Sequence, residues 1–455
     1  MIYLIIVVII IIIIIYYLYY YIYESFYHFD YACINKSSNM KIYEPKSINK
    51  LSKFMLNNDK PICIKGAGYS HGGHTLLDNG IQIDMKNINH IVAHDNNTVT
   101  VGSGCKWHDL IVFLSKHNPN RSVSIMQSYY NFSIGGSVSV NCHGRGINGT
   151  ISDTIINMRV LCTDGIIYNC SRSENVEVFN GVIGGYSLLG IIIDVTLETT
   201  ENDIIESIIS IDKVNTFFDK QLDNKILFYN GNIYPNNPSE IVNISWVKSN
   251  KAPTNNSLVR KQNSFSNGCG MLITQLLRRF NIMQTLKYEY EKVQYNDLVH
   301  YKSYEIGYDV NMIAVLSNHP TTNVLQEYFI PTQHIKKFLK VLAKEINKIN
   351  IINISLRFVK KITNSILNYA PVDSYAVVLY INVLNYSYGI SRLKEWTNNM
   401  LDLTSSLNGK YYLPYALVYN KEKILAMYDF KKMFELKNKY DKKNLIRNQF
   451  LEYLI

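Results

Sequence analysis

The sequence has no Cys-x-x-Cys pair and no cysteine–histidine cluster at zinc-ligand spacing. Its seven cysteines, at 33, 63, 105, 142, 162, 170 and 269, are odd in number and scattered through a long chain. That pattern supports neither a disulfide framework nor a metal site. A basic stripe is also missing: the formal net charge is +10, but the lysines are interleaved with asparagine and tyrosine, as on a solvated surface. Nothing in this distribution points to nucleic acid as a partner. No Gly-Lys-Ser/Thr follows a glycine loop, which excludes a Walker site, and no Gly-x-Gly-x-x-Gly opens a helix, which excludes the dinucleotide fingerprint. No internal repeat is visible, and low complexity is confined to the N-terminus.

What remains is the composition of a folded protein, 47% hydrophobic and 18% charged over 455 residues, long enough for two or three domains. Ile2 to Tyr23 carries no charge. As a helix rising about 1.5 Å per residue it would span roughly 33 Å, enough for a bilayer. The run has no basic leader and no small-residue cleavage site, and tyrosines crowd its C-terminal side as in an interfacial belt. These features predict an uncleaved transmembrane anchor over 1–23 and a single-pass membrane localisation. The side stays open, because Lys36, Lys41, Lys46 and Lys50 are offset by Glu24, Asp30 and Glu44.

Residues 24–45 read as a polar connector. Beyond it, Pro61–Gly66, Ile81–Met85 and Thr98–Gly104 are strand-like, and Trp107, Leu110, Ile111 and Leu114 predict an amphipathic helix over 106–117. A hairpin through Thr163-Asp164-Gly165 and a buried strand from Gly190 follow. From about 201 the glycines thin out, marking a second domain over 201–408. A helix is expected there through Ile335, Phe338, Leu339, Leu342 and Ile346, and another over 391–407 that stops at Asn408-Gly409. The last segment, 409–455, is expected to hold one more long helix. The fold class is α+β.

Two glycine-rich loops carry the chemistry. The first, Lys65-Gly-Ala-Gly-Tyr-Ser-His-Gly-Gly73, packs small residues so that successive backbone N–H groups of Gly66, Ala67, Gly68, Tyr69 and Ser70 can face one concavity and bind a pyrophosphate. The second runs from Phe132 to Gly146, with Gly135-Gly136 followed seven residues later by His143-Gly144. Together they resemble the FAD-binding domain of the vanillyl-alcohol oxidase superfamily, near its gulonolactone, alditol and decaprenylphosphoryl-ribose oxidase branches. Gly66, Gly68, Ser70 and Gly72 fit the family's first loop, which His71 shares. The later strands and the Gly184–Leu197 stretch follow the family's order.

The resemblance implies a p-cresol-methylhydroxylase-type FAD-binding domain of two α/β subdomains over 46–200. It also implies a substrate (cap) domain with an antiparallel sheet over 201–408, and a C-terminal segment returning to the flavin domain. It implies FAD contacts from Ser133, Gly136, Ser139, Cys142, His143, Gly144 and Ile191 or Ile192. Tyr69 stands where many relatives tether FAD through a histidine, so non-covalent FAD is expected, with His71 and His74 as the alternative attachment points. Cys142 precedes the His-Gly pair, where a bulkier residue is expected to slow reaction with oxygen.

Leu325–Pro331 looks like the strand that faces the flavin ring, which makes Glu327 the candidate general base. Tyr415 stands where aldonolactone and alditol relatives carry a lysine, and it joins Tyr412 and Glu327 as candidate catalytic residues. The implied activity is oxidation of a CH–OH group of a sugar, polyol or lactone-like small molecule by hydride transfer to flavin, with no metal. Two alternatives stay open: a C=C reductase of the sterol-24-reductase type, and a flavin-binding structural or surface protein whose redox activity has decayed.

Overall fold

The computed structural model describes residues 27–95, 97–260, 281–308 and 321–455. Three larger sheets organise them, beside a two-stranded ribbon of Tyr27–Phe29 and Lys36–Ser38. The smallest of the three is parallel, in the order Lys41–Tyr43, Ile81–Asp84, Ile62–Lys65. Helix Ile48–Asn57 begins where Ser47 Oγ accepts the Lys50 amide, and it buries Leu51 and Met55. These pack with Ile62 and Ile83 against Leu161, Ile191 and Ile193 of the second sheet.

The second sheet is antiparallel, in the order Ile167–Ser171, Ile155–Leu161, Ile191–Glu201, Thr98–Gly102, Ile91–Ala93, with Arg121–Val123 pairing to the far end of Ile191–Glu201. The strand from Ile191 is buried on both faces over its first five residues, which is why it reads as a continuous apolar run. Helix Trp107–His117 turns Trp107, Leu110, Ile111 and Leu114 into the adjoining core, as the 3.6-residue spacing predicts.

The third sheet has eight antiparallel strands: Val299–Tyr301, Ile204–Lys213, Asn237–Lys248, Ile226–Tyr234, Ile351–Val359, Ser374–Leu384, Thr321–Pro331 and Lys410–Tyr411. Its two faces differ because side chains alternate along each strand. Even-numbered residues of Thr321–Pro331 meet the helices: Gln326 donates to Thr397 at 2.7 Å, and Tyr328 packs against Phe338. Helices Ile335–Glu345 and Ser387–Ser406 cover that side with Phe338, Leu339, Leu342, Leu393, Trp396 and Leu401. The odd-numbered residues point the other way, into a cavity.

Several expectations change. The transmembrane anchor over 1–23, and with it the single-pass membrane localisation and the membrane as a partner, is corrected: among the described residues no helix is long and apolar enough to cross a membrane. Helix Ser387–Ser406 has the length, at 20 residues, but carries Arg392, Lys394, Glu395 and Asp402. The run Ile2–Tyr23 on which the anchor rested lies outside the described residues. The stretch read as a connector carries strands at Tyr27–Phe29, Lys36–Ser38 and Lys41–Tyr43, and Thr322 Oγ1 donates to the Ala32 carbonyl. In place of one long final helix there are three short ones, Lys421–Met427, Phe430–Tyr440 and Gln449–Leu454. Asp429 caps the second by accepting the Lys432 amide, and Asn448 caps the last by accepting the Leu451 amide.

The chain's end is tied to its beginning. The Ile62 amide donates to the Leu445 carbonyl at 2.7 Å and the Arg447 amide to the Ile62 carbonyl at 2.8 Å, so the tail runs beside the small sheet. Asp441 holds the turn into it, accepting from the Leu445 and Ile446 amides at 2.8 and 2.9 Å and from the Lys437 ammonium. Lys437 and Asp441 are both buried. Replacing Asp441 by alanine would strand a buried ammonium and free two amides. Asp441→Ala is expected to lower unfolding stability by about 3–5 kcal/mol in chemical denaturation, whereas a loss under about 1 kcal/mol would show that the tail is held by its apolar contacts alone.

Candidate active site

The two glycine-rich loops and the polar face of the large sheet enclose a cavity of about 580 Å³. Loop one leaves strand Ile62–Lys65 and turns at Gly68, whose φ of +82° suits glycine. Gly66 lies so close to loop two that a Cβ there would sit 2.1 Å from Ser133 Oγ. That hydroxyl accepts the Ala67 amide at 3.0 Å, which fixes one loop on the other. Loop two begins the short helix Ile134–Ser139, where Ser137 accepts the Trp107 indole N–H at 2.8 Å and donates to Gln127 at 2.6 Å. At Gly144 a Cβ would lie 2.0 Å from the Met126 carbonyl oxygen.

Gly66, Ala67, Gly68, Tyr69, Ser70 and His71 line the cavity from loop one, and Ser133, Gly136, Ser139, His143 and Gly144 line it from loop two. Gly72 stands behind the wall, against the Tyr415 carbonyl and His74. Ile191 is turned into the core between the two smaller sheets, while its neighbour Ile192 reaches the cavity, as strand alternation requires. Cys142 is fully buried and lies outside the lining, its thiol directed to Ser137 and the Gln127 backbone.

The loops suit a dinucleotide-sized cofactor. Among the lining groups, Ser70 Oγ, Ser103 Oγ, His71 Nδ1 and His143 Nδ1 are buried without a hydrogen-bond partner, and glycines clear the backbone of both loops. A flavin with its pyrophosphate over loop one would supply partners for such groups. Burial depresses His71 to about 4, and burial with the neighbouring His71 depresses His74 to about 3, so both imidazoles are neutral at pH 7. His71 packs near Tyr31 and Tyr415, and His74 stacks on Phe450 of the C-terminal tail at 4.5 Å.

Glu327 is the centre of the polar chemistry. It is 2% exposed. Its Oε1 lies 2.6 Å from His143 Nε2, and its Oε2 accepts from the Tyr415 hydroxyl at 3.1 Å. These three groups come from the large sheet, loop two and the segment after Lys410–Tyr411, so the fold alone assembles them. Burial, then Glu327, push the Tyr415 phenol well above its ordinary range. Tyr412 lies beside them, but its hydroxyl donates to the Val140 carbonyl at 3.0 Å and its amide to the Glu327 carbonyl at 2.9 Å. Its contact is with the backbone of loop two. Among the described residues no group of three His, Cys, Asp or Glu is placed to hold a metal.

Sequence reading missed much of the wall. Tyr31 and Phe132 flank Tyr69 at 5.0 and 4.7 Å between ring centres. Tyr186 and Ser187 have positive φ values of 53° and 58°, and Ser187 meets Ser139 at 3.0 Å. From the large sheet come Asn230, Asn232, Asn353, Ser355 and Arg357. The polar–apolar alternation of Asn353-Ile-Ser-Leu-Arg357 was a signal on the page, but nothing local tells which face a strand will present.

The geometry agrees with what the chain is similar to. Residues 42–171 match the FAD binding domain family. An oxidoreductase of the fasciation locus of Rhodococcoides fascians is 26% identical over 144 residues, 30% of this chain and 32% of that protein. L-gulonolactone oxidase of Mus musculus is 26% identical over 162 residues, 34% and 36% of the two chains. Cytokinin dehydrogenase 2 of Arabidopsis thaliana is 27% identical over 152 residues, 32% and 30% of the two chains. The match thus spans about a third of each of these relatives, with 32%, 36% and 30% of their lengths covered. Residues 42–171 thus form an FAD binding domain of the type found across the vanillyl-alcohol oxidase superfamily, with FAD as its cofactor.

Proposed function

We propose that this protein is an FAD-dependent oxidoreductase that oxidises a CH–OH group of a sugar, polyol or lactone-like substrate. The observation that carries the reading is Glu327, a buried carboxylate on the cavity face of the large sheet, hydrogen-bonded to His143 beside the cofactor loop and to Tyr415. The backbone of Gly66–Ser70 would hold the cofactor's phosphates, with Ser133, Gly136, Ser139, His143 and Gly144 along its ring and ribityl chain. FAD, when bound, supplies the acceptor for two electrons.

The residues of the chain supply binding and proton handling. Glu327 takes the proton of the substrate hydroxyl at a carboxylate oxygen, and His143 and Tyr415 hold that carboxylate in one orientation. A phenol as weakly acidic as Tyr415 stays protonated, so its part is to donate a hydrogen bond. Tyr412 positions loop two through Val140. In this reading residues 46–200 hold the cofactor and 201–408 shape the substrate's side of the cavity, closed by 409–455.

Attachment of FAD is non-covalent in this reading, because Tyr69 offers no imidazole and His71 and His74 are enclosed by aromatic rings. Acid precipitation is expected to release the flavin into the supernatant; yellow colour in the pellet, with a flavinylated peptide containing His71 or His74, would refute this. A methyl group at Gly66 would displace Ser133, so Gly66→Ala is expected to purify with most of its flavin lost, read from the absorbance ratio of flavin to protein. Glu327→Gln should retain flavin and slow its anaerobic reduction by substrate about 10²-fold or more, the usual scale for a lost general base. Tyr415→Phe should slow it less, and an unchanged rate in Glu327→Gln would move the proton acceptor elsewhere.

A further inference from the structure

The polar face of the large sheet holds a cation, Arg357, that has no ion pair among the described residues and feels Glu327 only at longer range. Arg357 lies on strand Ile351–Val359, one alternation beyond Ser355, which itself opposes Val378 across from Glu327. Its guanidinium is enclosed by protein, yet the residue keeps accessible surface, because that surface faces the cavity. Its hydrogen-bond contact is a long one, Nη2 to Ser128 Oγ at 3.4 Å, and Nη1 is buried without any partner. Among the described residues no carboxylate stands within ion-pair distance of it. Glu327, the acidic group of the same sheet face, is engaged by His143 and Tyr415, and the nearby Arg145 adds like charge while it pairs with Glu305.

An unpaired charge withdrawn from water is costly, and proteins hold one where a ligand will complete it. Burial and Arg145 draw Arg357 down to about 10, which still leaves it charged at pH 7. Beside it runs a relay of polar groups that ends on a carboxyl: Ser355 donates to Asn230 at 2.9 Å, Asn230 to Asn232 at 2.8 Å, and Asn232 to Glu291 at 2.9 Å. Amides and hydroxyls in a row suit the hydroxyls of a polyol chain, and a planar guanidinium suits the paired oxygens of an anion.

We propose that Arg357 binds an anionic group of the substrate, a carboxylate or a phosphate, so that the enzyme acts on an acidic or phosphorylated polyhydroxy compound and discriminates against neutral ones. This rests on the reading of the cavity as the substrate site and names the substrate class within it. Arg357 and Glu327 lie two strands apart, roughly 10 Å across the sheet, with the anion held at one end of the substrate and the reacting hydroxyl at the other. Arginine matters there for its fork of donors as well as its charge, so lysine should replace it poorly.

The test is binding, read without turnover. Flavin-loaded full-length protein is titrated with D-gluconate, D-glucose 6-phosphate and neutral D-glucitol, following perturbation of the flavin absorbance. At least one anion is expected to bind 10-fold or more tightly than glucitol, and which of the two does so identifies carboxylate or phosphate. Arg357→Gln should weaken that anion at least 10-fold and leave glucitol unchanged. Arg357→Lys, which keeps the charge if the first variant folds poorly, should still weaken it several-fold. Equal binding of glucitol and the anions, no perturbation by either anion, or unaltered anion binding in both variants overturns the proposal. Anion preference in a protein whose flavin no polyol reduces would instead defeat the oxidoreductase reading and leave Arg357 as an anion site.

Discussion

No side chain fits at Gly66, because the Oγ of Ser133 occupies the place where its Cβ would be and accepts the next amide, that of Ala67. This contact joins the end of a parallel strand in the small sheet to the start of a short helix in front of the antiparallel one, and much else follows from it. It brings His143 within reach of the large sheet, and it leaves between the loops a concavity with bare backbone on one side. Tyr69, Tyr31 and Phe132 pack their rings against one another beside that concavity.

The cavity wall opposite is polar for a different reason. An antiparallel sheet with helices on one face can keep hydrophilic residues on the other only if something wet or charged will meet them. Asn230, Asn232, Ser355, Arg357 and Glu327 all lie on that face, so the sheet is built to meet a ligand rich in hydrogen-bonding groups. The buried charges there are treated differently. Glu327 has two partners of its own, which suits a group that must be held in one orientation. Arg357 has a single weak one, which suits a group that waits for its counter-ion.

Two clusters of paired buried charge mark where the chain is fastened. Glu305 meets Arg145, Arg260 and His300; burial would raise its carboxyl, but these partners bring it down to about 2. Arg145 belongs to loop two, so this cluster anchors the loop's far end to the large sheet's outer edge. Lys437 and Asp441 do the same for the C-terminal tail, which places Phe450 against His74 behind loop one. Paired charges thus anchor the far end of loop two and the tail behind loop one, while Arg357 at the cavity has no ion pair among the described residues.

The sequence by itself determined the features that are local in physical origin. A 3.6-residue spacing marked helices Trp107–His117 and Ile335–Glu345, because that periodicity reflects which face is buried, while the strand around Leu325 was placed by resemblance. The glycine loops were legible for the same reason, since close backbone approach leaves no side chains in the text. The long helix expected near the end is divided into shorter ones, with Asp429 capping the start of the middle one. The apolar N-terminal run was judged from its hydropathy and its flanking residues. Only the tertiary structure decided that Glu327 meets His143 and Tyr415, that Tyr412 turns to the backbone, and that Arg357 faces the cavity unpaired. Those pairings join residues 88 to 184 positions apart, and a contact across such a distance depends on strand order and facing, which no local pattern of residues records.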